Sequence, residues 1–152
     1  MADDTHKQHG VTGRVRARRT AVQAIYQWLM ARQPIEDVLS EFETDRKEHR
    51  KIDKEYFREI VKGMVKHSAE LDEILAPLLD RQLKEIGPVE HAIMQLGLYE
   101  LRYHPELPWR VILNESVELA KMFGAEQSHK YINGVLDKAA HQIRCVEINN
   151  AS

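Results

Sequence analysis

Four arginines crowd together near the start of the chain: Arg14, Arg16, Arg18 and Arg19, with no acidic residue between Asp4 and Glu36. A guanidinium is a planar fork of donors that matches the oxygens of a phosphate, and several together give a salt-dependent affinity for polyanions. Positive charge at the start of a helix opposes the helix dipole, so the cluster is not there for helix stability. A solubilising helix end is the competing reading, and the residues alone leave both open. Ser128, His129, Lys130 and Tyr131 form a second candidate. A lysine beside a tyrosine after a helix-opening serine suits a phosphate and a stacked, unpaired base. Tyr131 beside Ile132 equally suits a core. Tyr26, Glu90 and Tyr99 are candidates for a protein-binding surface. Glu90, in the first turn of its helix, also answers the helix dipole, and Tyr99 suits a core.

Other chemistry is not written in the chain. The eight histidines include no HExxH, no CxxC accompanies them, and none has a partner at ligand spacing, so no metal is expected. No Ser-His-Asp order, no glycine-rich phosphate loop and no paired carboxylates appear, so neither a catalytic site nor a cofactor is expected. The single cysteine, Cys145, excludes an internal disulfide and fits a reducing cytoplasm. There is no run of eighteen apolar residues and no apolar stretch at the N-terminus, so neither a membrane span nor a signal peptide is expected. With 22 basic and 24 acidic residues the net charge is −2, which argues against a uniformly basic nucleic-acid binder and leaves a local basic patch as the electrostatic footprint.

The elements that must position these residues read as helices throughout. The first ten residues are polar and unpatterned, and residues 1–12 are expected to form a disordered tail. A helix over about 13–32 carries Ala21, Val22, Ile25 and Leu29 on one face and stops before Pro34. Arg14 and Arg18 fall in line with that face, so its first turns must project past the core to keep them wet. A weaker helix over about 35–42 is followed by a charged run expected to be a solvated loop. Asp53 is placed to cap a third helix bearing Phe57, Ile60, Val61 and Met64. A fourth carries Leu71, Ile74, Leu75 and Leu78 and is interrupted at Pro77. Gly87-Pro88 punctuates the chain, and the helix that follows is apolar around most of its circumference, which marks it as the central, buried one. Pro105 and Pro108 bracket a loop before a closing helical hairpin. There, Gly124 is placed to end one helix, Ser128 to cap the next, and Gly134 to permit close backbone approach. The expected fold is all-α: two small packed antiparallel helix bundles with about seven helices. The domain spans 13–145, its sub-bundles are 13–83 and 88–145, and 146–152 is a tail.

The hairpin motifs NESVELAKMFG and SHKYINGVLDKAA resemble the signature of the NusB family of bacterial transcription antitermination factors. RRTAVQAIYQW upstream and GPVEHAIMQLGLYEL in the middle extend the resemblance, in order, from Arg18 to Arg144. The resemblance implies a protein that is not an enzyme. It implies binding of boxA-type single-stranded RNA together with a small ribosomal subunit protein, also called NusE, within the RNA polymerase complex and its other Nus factors. It places Arg14, Arg16, Arg18, Arg19, Ser128, Lys130 and Tyr131 toward RNA, and Tyr26 and Glu90 toward the ribosomal protein. Gln127 stands where the family pattern has an acid. Two alternatives stay open: an RNA-targeting module of the kind fused to RNA cytosine methyltransferases, and a helical adaptor without RNA contact.

Overall fold

The computed structural model describes the backbone of residues 2–44, 52–123 and 127–150, and side chains from residue 13 onward. Among these there are eight α-helices, two 3-10 turns and no strand, so the all-α class holds. None of the helices is long and apolar enough to cross a membrane. The chain divides into two compact units, residues 1–66 and 67–152.

The first unit holds α1 (Ala2–Ala31), α2 (Ile35–Thr44) and α3 (Lys54–Lys66). α1 begins at Ala2 rather than near residue 13. The segment expected to be a disordered tail continues the helix, with no proline before Pro34 to interrupt it. At its other end Arg32 takes a left-handed φ of 55° and donates its N–H to the Trp28 carbonyl (2.9 Å). Ala17, Ala21, Val22, Ala24 and Ile25 pack with Val38, Leu39, Phe57, Ile60, Val61 and Met64, all essentially fully buried. Asp53 caps α3 as expected, its Oδ1 accepting the Tyr56 N–H at 3.0 Å. The Asp53 N–H in turn donates to the Gly13 carbonyl (3.0 Å) and ties the start of α3 to α1. A Cβ on Gly13 would stand 3.3 Å from that nitrogen, a tight fit against the start of α3. Most of the charged run lies outside the described residues.

The second unit holds α4 (Ser68–Leu75), α5 (Pro88–Tyr103), α6 (Trp109–Met122), α7 (Ser128–Ile143) and α8 (Cys145–Asn150). Pro77 sits in the 3-10 turn Ala76–Leu78 that breaks α4 off. Pro88 occupies the first turn of α5. Every residue of α5 from Ala92 to Leu101 is buried, and α4, α6 and α7 all pack on it. The division at residues 66/67 lies ahead of the expected boundary near residues 83–88. α4 belongs to the later unit because polar side chains bind it to α5. Gln95, fully buried, donates to Asp72 (2.9 Å) and Ser68 (3.1 Å), and His91 meets Asp72 at 2.7 Å.

Three details of the closing hairpin differ from expectation. Gln127, not Ser128, is the residue before the first turn of α7, and it supplies no side-chain cap. Gly134 faces open space, whereas Gly97 takes the close approach. A Cβ on Gly97 would stand 2.8 Å from Leu136 Cδ1 and 3.1 Å from Ser116 Oγ. Residues 146–150, read as part of a tail, belong to α8, which starts at Cys145. Gly124 lies outside the described residues.

Candidate nucleic-acid interface

In the first unit the four arginines do not act alike. Arg14 is exposed, pairs loosely with Asp53 (3.9 Å) and lies over the Tyr56 ring, its guanidinium carbon 4.7 Å from the centroid. Arg16 and Arg19 are half-exposed. Arg18 is 5% exposed and stands 5.5 Å from the same Tyr56 centroid. The first turns therefore do not carry Arg18 past the core. The aromatic ring takes it in through a cation–π contact that a helix-face count does not register. The surface cations of the cluster are Arg14, Arg16 and Arg19. Tyr26, on the same helix, is exposed at 39%.

The second unit brings residues from separate parts of the chain into one groove of about 310 Å³. Its walls include Arg81, Gly87 and Glu90 on one side and Gln127, Ser128 and Tyr131 on the other. The 3-10 turn Leu83–Glu85 and the extended Gly87 lead the chain along one wall, and the first turn of α7 forms the other. The Glu90 carboxylate lies close over Gly87, where a Cβ would stand 2.2 Å from Oε2 and turn that side chain aside. Ser128 Oγ donates to Glu90 Oε1 at 3.3 Å. The residue expected on the RNA side and the one expected on the protein side are thus neighbours. Lys130 is exposed and is not among the groove residues.

Tyr131 is not a core residue. Its hydroxyl donates to Asp80 Oδ1 (2.8 Å) and accepts the Asp80 N–H (3.3 Å). The Arg81 guanidinium lies over its ring, 4.5 Å from the centroid, and meets Asp80 through Nε (2.8 Å) and Nη2 (3.4 Å). Arg81 first and the Tyr131 hydroxyl second hold the Asp80 carboxyl well below its ordinary range, at about 2. Burial, followed by the bond to Asp80, pushes the Tyr131 phenol up. Exposed cation, aromatic face and helix start together are the components that receive a phosphate and a base. Sequence reasoning did not single out Asp80 and Arg81, which lie near the end of the expected first sub-bundle, 13–83. Tyr131 stands 51 residues from Asp80, beyond any local pattern.

Among the described residues no group of three or more histidine, cysteine, aspartate or glutamate side chains is arranged to hold a metal. The family model described as "NusB family" matches residues 15–141. The transcription antitermination protein NusB of Erwinia tasmaniensis is 51% identical over 133 residues, covering 86% of this chain and 94% of that protein. The protein of the same description from Hydrogenovibrio crunogenus is 48% identical over 143 residues, covering 93% and 87%. A crystal structure of the antitermination factors NusB and NusE in complex with double-stranded RNA contains a chain similar at 26% identity and a TM-score of 0.70, covering 84% of this chain and 96% of that one.

Proposed function

The chain belongs to the NusB family, and from that premise we propose that it binds boxA-type single-stranded RNA jointly with the ribosomal protein NusE and serves transcription antitermination in the cytoplasm. The observation that carries the reading is family membership across residues 15–141, on a fold shared with the NusB and NusE complex with RNA. The family is one of transcription factors and not of enzymes. The relatives that match are described as transcription antitermination proteins, which supports that reading over a methyltransferase-fused module.

Arg14, Arg16 and Arg19 are the phosphate contacts of the first unit. Ser128, Lys130 and Tyr131 are the RNA contacts of the second. Arg18 supports its own unit through Tyr56 instead of reaching RNA. Tyr26 and Glu90 face NusE, and the assembled pair joins RNA polymerase with the other Nus factors. Glu90, bonded to Ser128, also offers a route by which NusE binding steadies the RNA side.

The test is a titration of a boxA-type RNA oligonucleotide with and without NusE. NusE is expected to tighten RNA binding, and by linkage RNA must tighten NusE binding by the same factor. A protein that binds neither RNA nor NusE at low salt would refute the reading.

A further inference from the structure

We propose that Arg81 is a further RNA-contacting residue, and that Asp80 is an internal stand-in for phosphate which RNA displaces from it. The proposal rests on the RNA-binding reading above and adds a gate to it.

The geometry argues for displacement. Arg81 meets Asp80 through two nitrogens, the same fork-to-oxyanion arrangement it would offer a phosphodiester. The side chains of the pair are 46% and 64% exposed, and an ion pair so open to solvent contributes little to stability, so its exchange for another anion is easily made. Meanwhile Arg81 covers the Tyr131 face that a base would need, and Asp80 also holds the Tyr131 hydroxyl. One carboxylate thus fixes both the cation and the ring. A phosphate arriving in the groove competes for the Arg81 fork. The guanidinium then leaves the ring with its new partner, and the exposed face receives a base. The opposite wall supplies the start of α7, where Gln127 gives the first N–H groups no side-chain cap.

The experiment titrates a boxA-type single-stranded RNA oligonucleotide, with NusE present, across a range of salt. The proteins are the parent chain, Arg81→Ala, Arg81→Lys, Asp80→Ala and the Asp80→Ala/Arg81→Ala double variant. Circular dichroism and NusE affinity serve as controls for folding. Arg81→Ala should weaken RNA several-fold and lower the salt slope by about 0.7. Arg81→Lys should keep the slope and lose affinity, the mark of a fork and not of a point charge. Asp80→Ala should strengthen RNA several-fold, and the gain should vanish in the double variant. Unchanged affinity and slope in Arg81→Ala, full affinity in Arg81→Lys, or weakened RNA in Asp80→Ala would each overturn the proposal. A parent chain that binds no RNA would instead remove the reading on which it rests.

Discussion

Arg144 is 7% exposed, and its guanidinium gathers the carbonyls left open where α5 ends. It donates to Leu101 (2.7 Å), His104 (2.8 Å) and Leu107 (2.9 Å), and to Glu147 Oε1 (2.6 Å). Glu147 in turn accepts the Trp109 N–H at the start of α6 (3.1 Å). Arg144→Met should cost about 3 kcal/mol in thermal or denaturant unfolding, since it strands several buried acceptors and a carboxylate. A melting temperature equal to the parent's would refute this. The Trp109 N–H, and next the Arg144 guanidinium, hold the Glu147 carboxyl below its ordinary value of 4.5. A carboxyl lowered on folding contributes stability that is present above the unfolded value and is lost as pH falls through the folded one. Melts run from neutral pH to below 4.5 should therefore show the parent losing an increment that Glu147→Gln lacks throughout. None of this was legible in the sequence. An arginine at a helix end looks ordinary, and its acceptors at Leu101 and Leu107 lie 43 and 37 residues away.

Helices, by contrast, were legible because apolar spacing is local. The circumferential apolar pattern of α5 foretold its central place, and Asp53 foretold the start of α3. The glycines were not legible, because a close approach depends on which helix arrives opposite. A methyl on Gly97 runs into Leu136 on α7 and Ser116 on α6. Gly97→Ala should therefore destabilise by about 1–3 kcal/mol, overriding its better helix propensity. Gly134→Ala, whose methyl meets nothing within 4 Å, should stabilise by roughly 0.5–1 kcal/mol. Opposite shifts in melting temperature are the expected result, and a stabilised Gly97→Ala would contradict the packing. The boundary between units escaped the sequence for a related reason. Gly87-Pro88 is the stronger local punctuation, but Gln95, His91 and Asp72 carry the join between α4 and α5 across it.

Across the whole molecule the net charge of −2 hides a local surplus of arginine. RNA affinity should fall steeply with salt, because each phosphate contact releases counterions. Replacing Arg16 and Arg19 by alanine should lower the slope by roughly 1.4 for a single strand. An unaltered slope would move the RNA surface elsewhere. Arg18→Ala should behave differently, lowering the melting temperature because it empties a buried place against Tyr56. The arginine cluster and the neighbourhood of Lys130 were visible as candidate sites, but the groove was not, since it is assembled from two distant segments. That assembly has a consequence for the protein's own synthesis. Asp80 and Arg81 leave the ribosome well before Tyr131, with α5 and α6 between them. A nascent chain halted ahead of α7 carries the arginines of α1 and no groove. The groove itself is acquired late in translation, when α7 docks.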